Sequence, residues 1–150
     1  MSNVVLVTGG FDPIHKGHIE YFKEAKLLGD KLIVGLNSDH WLTRKKGKPF
    51  MDLENRAMVI QSLSMVDEVI IFNDEDNTSC HAIYQALQFY DEVIFANGGD
   101  RGKMNTPEVE KFCDNPRVEF AWSVGGDDKM NSSSWILHGY FERQRKLLGI

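Results

Sequence analysis

Five short apolar runs, rich in Val, Ile and Phe, alternate along the chain with longer segments of helical periodicity. The runs are VVLVTG (4–9), KLIVGL (31–36), DEVIIF (67–72), DEVIFA (91–96) and RVEFAW (117–122). Brief, nearly continuous apolar runs are typical of strands that are covered on both faces. They therefore predict five strands of one parallel sheet.

The segments between these runs carry apolar residues three or four positions apart, as on one face of a helix. Helices are predicted over 16–28 and 53–64, after Thr78, from Thr106–Pro107, and from Ser132 onward. Asp52 is a competent N-cap for the second helix, and Gly29 is a plausible C-terminal cap for the first. Alternating strands and helices joined by right-handed crossovers predict a doubly wound α/β domain, with helices on both faces of a five-stranded parallel sheet.

Composition then narrows the class of protein. A chain of 150 residues, 42% hydrophobic and 26% charged, is ordinary for one soluble globular domain over 1–150. The net charge of −5 argues against a general nucleic-acid binder, and no apolar run approaches the ~20 residues that span a membrane. No signal peptide is evident, and Cys80 and Cys113 form no CxxC pattern. We therefore expect a cytoplasmic protein with reduced thiols.

Three glycine pairs follow predicted strands: Gly9–Gly10, Gly98–Gly99 and Gly125–Gly126. Open α/β sheets bind ligands at the carboxyl ends of their strands, where the strand order reverses. Glycine there lets backbone amides approach a ligand, although any one pair could simply form a tight turn. Neither GxxxxGK[ST] nor GxGxxG occurs in the sequence. The pattern therefore predicts a ligand site that is neither a P-loop nor an ordinary dinucleotide site.

His15 and His18 lie three residues apart where the first helix is predicted to begin. A helix N-terminus attracts anions, and imidazole N–H groups could donate to phosphate oxygens held there. Two other interpretations stay open, namely metal chelation and a structural role satisfied by backbone. No compact third metal ligand is obvious, so phosphate chemistry is favoured.

The stretch GGFDPIHKGH resembles the HxGH signature of the nucleotidyltransferase superfamily, the cytidylyltransferase-like proteins. The resemblance implies a small Rossmann-like sheet on which a substrate phosphate attacks the α-phosphorus of a nucleoside triphosphate and pyrophosphate leaves. In that family the two histidines stabilise the α-phosphate in the transition state. Mg²⁺ is expected to arrive with the nucleotide, without a set of protein ligands; Asp12 is the one carboxylate that could be nominated.

Further segments are similar to heptose-1-phosphate adenylyltransferase proteins, with glycerol-3-phosphate cytidylyltransferase next in architecture. These segments are NSD, KGKP, ENRA, FNDED and ANGGDR. Two departures leave the base, ATP or CTP, and the acceptor open. Asn97 stands where the heptose type has lysine, and no arginine precedes the SSS segment at 132–134.

Carried over by residue, the resemblance implies three groups of site residues. They are His15, His18 and Lys46 for catalysis; Gly9, Gly10, Phe11, Asp12, Gly98, Gly99, Asp100, Ser132, Ser133 and Ser134 for the nucleotide; and Asp39, Lys45, Lys48 and Arg56 for the acceptor substrate. The three lysines are expected on a loop that closes over phosphates, although a solvated loop is the alternative.

The function implied is a nucleotidyltransferase that moves a nucleoside monophosphate from ATP or CTP to a sugar or polyol phosphate. A non-catalytic nucleotide-binding sensor on the same fold is the alternative, because fold alone does not fix function. The expected partners are the triphosphate and the phosphorylated acceptor, with neither nucleic acid nor membrane. Family relatives often form dimers, so a homodimer is expected, with Trp41 and Trp135 as candidate interface residues.

Overall fold

A computed structural model of the protein describes residues 3–99, 101–102, 105–125 and 133–149. Within them, one parallel sheet contains β1 (Asn3–Gly9), β2 (Lys31–Leu36), β3 (Glu68–Ile71), β4 (Glu92–Ala96) and β5 (Val118–Ala121). The strand order is β3-β2-β1-β4-β5. Each strand falls on one of the predicted apolar runs with bounds shifted by at most two residues, so the predicted doubly wound α/β fold is confirmed.

The connecting helices are α1 (Lys16–Lys26), α2 (Asp39–Lys46), α3 (Leu53–Gln61), α4 (Cys80–Leu87), α5 (Pro107–Phe112) and α6 (Ser133–Leu148). Asp52 caps α3 by accepting from the amide of Asn55, as predicted. The predicted end of α1 was wrong, because Leu27, not Gly29, is its C-cap. None of the described helices has both the length and the apolar character needed to cross a membrane.

Helices cover the sheet on both sides, and alternate residues of β1 serve the two cores. Val5 and Val7 pack with Phe22 of α1 and Ile60 of α3, on what we call the α1 face. Val4 and Leu6 pack with residues of α4 and α5, including Ile83 and Phe112, on the α4 face. Because β1 is buried on both faces, its sequence is a continuous apolar run and does not alternate.

The short helix α2 was missed by the sequence analysis, which placed Lys45 and Lys46 on a loop. Ser38 caps this helix by accepting from the amide of Trp41 at 3.0 Å, and Gly47 ends it with a φ of 95°. Positive φ is easily adopted only by glycine, so Gly47 fixes where the helix stops. Lys45 and Lys46 therefore occupy a rigid last turn, where their positive charge is favourable to the helix dipole.

The strand order places the ligand-binding edge. The chain passes from β1 to β2 on one side, whereas β4 and β5 lie on the other side of β1. Strand order thus reverses between β1 and β4, and a crevice opens where their carboxyl ends diverge. Gly9 ends β1 and Gly98 follows β4, so two of the predicted glycine pairs flank this crevice.

Candidate active site

A cleft of about 1080 Å³ opens at this edge of the sheet. It collects most of the residues that the sequence analysis nominated. The nominated residues that line it are Gly9, Gly10, Phe11, Asp12, His15, His18, Lys45, Lys46, Gly98, Gly99, Ser133 and Ser134. Asp39, Lys48 and Arg56 lie outside its lining. Asp100 and Ser132 lie outside the described residues.

The two histidines build the first turn of α1 between them. His15 is the N-cap residue, and its Nδ1 accepts from the amide of Gly17 at 3.0 Å. Nδ1 of His18 accepts in turn from the amide of His15 at 3.2 Å. A ring nitrogen that accepts a hydrogen bond carries no proton, so each neutral ring is assigned its proton on Nε2. The helix start thereby sets the tautomer of both rings.

The same geometry keeps the rings neutral. Their centroids are 3.8 Å apart and their planes are inclined by 27°. Burial lowers the pKa of His15, and burial together with the neighbouring His15 lowers the pKa of His18 to about 3. Both rings line the cleft, and Nε2 of neither makes a hydrogen bond within the described residues. They therefore offer two adjacent neutral N–H donors to a ligand.

Metal chelation by the histidine pair would need further ligands nearby. Among the described residues, no group of three or more His, Cys, Asp and Glu side chains is placed to hold an ion. The structural interpretation of the histidines is correct for Nδ1, which caps the helix. It leaves Nε2 available, so structural and ligand-binding roles are compatible.

Phe11 packs against His18 and explains why residue 9 is a glycine. Its ring meets the rings of His18 and Phe22 edge-on, with centroids 4.9 and 5.0 Å away. Its backbone φ is 50°, a conformation that is uncommon outside glycine. A Cβ on Gly9 would lie 2.9 Å from Cζ of Phe11. Gly9 is thus required by close packing against the ring that supports His18.

Gly17 is a site residue that sequence reasoning did not single out, although it lies inside the quoted HKGH motif. A Cβ at this position would lie 2.9 Å from Cε1 and 3.1 Å from Nδ1 of His15. Contacts below 3 Å force an atom to move, because they are much shorter than the optimal separation of about 3.5–4.0 Å between carbon atoms. The absence of a side chain at Gly17 therefore allows His15 to fold back over its own helix.

Asp12 and Lys46 form an ion pair at the cleft. The side chain of Asp12 is fully buried, and Nζ of Lys46 lies 3.1 Å from its Oδ2. The amides of Phe50 and Met51 donate to the two carboxylate oxygens at 2.6 Å each. Lys46 also donates to the backbone oxygen of Asp12 at 2.6 Å. Both oxygens of Asp12 are therefore engaged, and its carboxylate does not fit the role of a magnesium ligand.

Arg56 and Asp39, which were expected to contact the acceptor, pair with each other outside the cleft lining. Arg56 is 1% exposed, and its Nη2 pairs with Oδ1 of Asp39 at 2.7 Å. Its remaining nitrogens donate to the backbone oxygens of Gly10, Asn37 and Met51. Four of its five N–H donors are thus used by protein, and its side chain is fully buried outside the cleft lining. It joins the turn after β1 to α2 and α3.

The far wall of the cleft joins the start of α6 to the turn that precedes α1. Oγ of Ser133 donates to the backbone oxygen of Pro13 at 2.7 Å. Tyr21 of α1 donates through its hydroxyl to the backbone oxygen of Ala96, and burial raises its pKa. A Cβ on Gly98 would lie 3.1 Å from the backbone oxygen of Val124. Gly98 thus permits close approach between protein segments, in addition to any role toward a ligand.

Sequence reasoning also missed a polar group beside β1 and β4. It comprises Thr8, Ser79, Arg101 and Glu108, and all four line the cleft. Arg101 could have been found, because it follows the glycine pair in ANGGDR. Glu108 gave no such signal, since its position at the cleft depends on how α5 packs against α4.

The carboxyl edge of the doubly wound sheet combines a glycine turn, two neutral imidazole donors and a lysine paired with a buried aspartate. This combination defines a phosphate-handling α/β domain. The cytidylyltransferase-like family model matches residues 6–132, and the chain belongs to this family. The predicted membership of the nucleotidyltransferase superfamily is therefore confirmed.

Individual relatives agree. The chain is 34% identical over 146 residues, 94% of its length, to the bifunctional protein HldE of Geobacter metallireducens. It is 47% identical over 76 residues, 49% of its length, to HldE of Helicobacter pylori strain P12. The chain covers only 28% and 16% of these two proteins, respectively. It thus corresponds to one part of longer relatives.

Solved structures support the fold. The lipopolysaccharide core biosynthesis protein from Thermoplasma volcanium superposes with a TM-score of 0.65 at 28% identity, over 81% of this chain and 96% of that one. A structure from Vibrio parahaemolyticus that is described as a nicotinate-nucleotide adenylyltransferase superposes with a TM-score of 0.59 at 14% identity, over 95% of this chain and 88% of that one. The second likeness speaks for the fold alone.

Proposed function

We propose that the protein transfers a nucleoside monophosphate from ATP or CTP to the phosphate of a sugar or polyol, with release of pyrophosphate. The observation that carries this proposal is the reciprocal capping of α1 by His15 and His18, which leaves two neutral Nε2–H donors on the cleft wall. The relatives named HldE and the protein described as acting in lipopolysaccharide core biosynthesis support a sugar phosphate as acceptor.

The proposed reaction needs no proton transfer by the protein. An oxygen of the acceptor phosphate forms a bond to the α-phosphorus, and the bond from that phosphorus to the oxygen bridging the α- and β-phosphates breaks. Its electron pair leaves with pyrophosphate. Such transfers depend on positioning and charge stabilisation, with little covalent chemistry for the protein to supply.

Three cleft residues would then stabilise the transition state. The Nε2–H groups of His15 and His18 donate to the α-phosphate oxygens, where charge accumulates. Lys46, held by Asp12, places a cation on the same wall. Neutral histidines suit this role because their proton stays on Nε2 at neutral pH. Magnesium would enter with the triphosphate and screen its charge, held mainly by substrate oxygens and water.

The decisive experiment is a pyrophosphate-release assay that pairs ATP and CTP with a panel of sugar and polyol phosphates. We expect one base and one acceptor class to support turnover. His15→Ala and His18→Ala should each reduce kcat by about 10²–10³-fold, as loss of a comparable oxyanion donor does. Circular dichroism should show that both variants fold. Normal turnover in either variant would remove that histidine from the reaction.

A homodimer formed through α6 is part of the proposal. Large apolar side chains on this helix are exposed, including Phe141 at 59%, Leu147 at 79% and Leu148 at 69%. No described residue of α6 is buried. Sedimentation equilibrium should show a dimer, and Phe141→Glu should shift it to monomer; a monomeric wild type would exclude this part. The cytoplasmic location stays a prediction.

A further inference from the structure

A second cation in the cleft, Arg101, is held in place by a buried carboxylate. Nη2 of Arg101 lies 3.0 Å from Oε1 of Glu108, whose side chain is only 2% exposed. The other carboxylate oxygen of Glu108 accepts from the amide of Ser79 at 3.3 Å. A carboxylate buried to this degree is stable only when paired and hydrogen-bonded. Glu108 therefore fixes the arginine at the cleft.

Arg101 differs from Arg56 in the number of donors it retains. All nitrogens of Arg56 are bonded to protein, whereas Arg101 uses only Nη2 within the described residues. The Arg101 side chain is 37% exposed and lines the cleft. One of its five N–H donors is thus used, and the second hydrogen of Nη2 still completes one edge of the guanidinium with Nε or with Nη1. Such an edge matches two oxygens of a phosphate group.

Uncharged hydroxyl groups lie beside this arginine. Oγ1 of Thr8 and Oγ of Ser79 are 2.7 Å apart, and both residues line the cleft. Ser79 contacts Glu108 through its amide, so the hydroxyl pair and the arginine belong to one connected group. Hydroxyls both donate and accept, which suits a ligand that carries hydroxyl groups of its own.

This group is separate from the histidine pair but shares its cleft. Ser79 and Glu108 belong to the α4 face, because Ser79 is the N-cap residue of α4 and Glu108 lies on α5. His15 and His18 begin α1, which packs on the opposite face of the sheet. Thr8 directly precedes Gly9 at the end of β1, so the two groups meet at the glycine turn. A two-substrate reaction requires such adjoining subsites.

We propose that Arg101, positioned by Glu108, binds the phosphate of the acceptor, and that Thr8 and Ser79 contact its hydroxyl groups. The acceptor class is a phosphorylated polyhydroxy compound. This inference rests on the proposed function, because it assigns the second substrate of that reaction. Two phosphate oxygens on the guanidinium leave the third oxygen to attack the α-phosphorus. Glu108 is a positioning residue, since it acts through Arg101.

The test is calorimetric titration of inorganic phosphate into protein saturated with a non-hydrolysable ATP or CTP analogue. Wild type is expected to bind phosphate in this ternary complex. Arg101→Gln should weaken phosphate affinity by about tenfold or more, the effect of losing hydrogen bonds to a charged group, and leave analogue affinity unchanged. Arg145→Gln is the matched control, because it removes the same charge from an exposed ion pair on α6.

The role of Glu108 is tested by a double-mutant cycle. Glu108→Gln should weaken phosphate binding in wild type and have no further effect in the Arg101→Gln background, because its influence passes through the arginine. A purely structural role would give additive losses in the two backgrounds. Chemical denaturation of each variant shows whether the fold is retained.

Several outcomes overturn the inference. They are an absence of phosphate binding to the wild type, displacement of phosphate by the analogue, and loss of analogue affinity instead of phosphate affinity in Arg101→Gln.

If neither analogue binds to the wild type, the proposed function fails. Phosphate is then titrated into the free protein. Loss of its binding in Arg101→Gln but not in His18→Ala supports the subsite, and the reverse pattern overturns it.

Discussion

Two ion pairs connect neighbouring segments of the molecule but serve different purposes. Asp12–Lys46 joins the turn after β1 to the end of α2, and Asp39–Arg56 joins the start of α2 to α3. The Lys46 side chain is 22% exposed and lines the cleft, whereas the Arg56 side chain is fully buried and lies outside it. Lys46 therefore reaches the cleft, whereas Arg56 forms its hydrogen bonds within the fold.

The difference shows that a cation in a motif does not by itself indicate a phosphate ligand. Both residues were expected to contact substrate from the sequence. What separates them is the number of internal acceptors, since Arg56 meets three backbone oxygens and a carboxylate. Four predictions test this comparison, in decreasing order of expected effect.

Arg56→Met should have the largest effect, on stability. The substitution leaves Asp39 without its partner and three backbone oxygens without a donor. The Asp39 side chain is 41% exposed, so most of the cost comes from the three orphaned carbonyl oxygens, and we expect a loss of about 3 kcal/mol or more of unfolding free energy. Urea denaturation measures the change, with Arg145→Met as control, for which a loss below about 1 kcal/mol is expected because that pair is exposed. Unchanged stability with lost ligand binding would return Arg56 to the site.

Lys46→Met should reduce turnover. It removes a cation from the cleft wall and leaves the buried Asp12 carboxylate with the amides of Phe50 and Met51 as donors, so urea denaturation must show that the variant is folded under assay conditions. We expect pyrophosphate release to fall roughly 10²-fold, as on loss of one electrostatic donor. Lys23→Met, an exposed lysine on α1, is the matched control. Turnover equal to that of the control would show that Lys46 only closes the turn.

Gly17→Ala should have a smaller effect that is confined to the histidine pair. The added methyl would meet the His15 ring at 2.9 Å and displace it from its cap. A ring moved by a fraction of an ångström should lower kcat roughly tenfold, because turnover is sensitive to such misplacement. Gly139→Ala on α6, where a Cβ meets only Arg143 at 3.4 Å, serves as control. Equal kcat in both variants would contradict the packing argument.

The pH dependence of stability should show the smallest change when it is taken per pH unit. His18 has an ordinary pKa of 6.5 when unfolded and about 3 when folded. Between these values the unfolded chain binds more protons, so the unfolding free energy falls as the pH drops. The slope from one group is at most about 1.4 kcal/mol per pH unit, and partial exposure reduces it.

His18→Gln removes this proton-linked contribution. The stability advantage of wild type over the variant should therefore be greatest above pH 6.5 and shrink as the pH falls toward 3. Denaturation at a series of pH values measures it. A constant difference would mean that the imidazole titrates alike in the folded and unfolded states.

The sequence predicted the site residues at the start of α1 correctly and was less informative about α2 and α5. Local spacing placed His15 and His18 at a helix start, and the structure puts them there. It failed for α2, whose apolar positions are few and whose cap depends on Ser38 and Gly47. It also missed Glu108 of α5, because burial of a carboxylate cannot be inferred from its neighbours in the chain.

The sequence alone determined the strands, their parallel arrangement and the histidine pair, because these depend on local periodicity and spacing. Only the tertiary structure decided which charged residues face the cleft. Residues distant in sequence supply acceptors for most donors of Arg56, which therefore bonds within the fold. They supply one side-chain acceptor for Arg101, which is therefore a candidate ligand-binding residue. The role of a charged side chain can be assigned only when its hydrogen-bond partners in the folded protein are known.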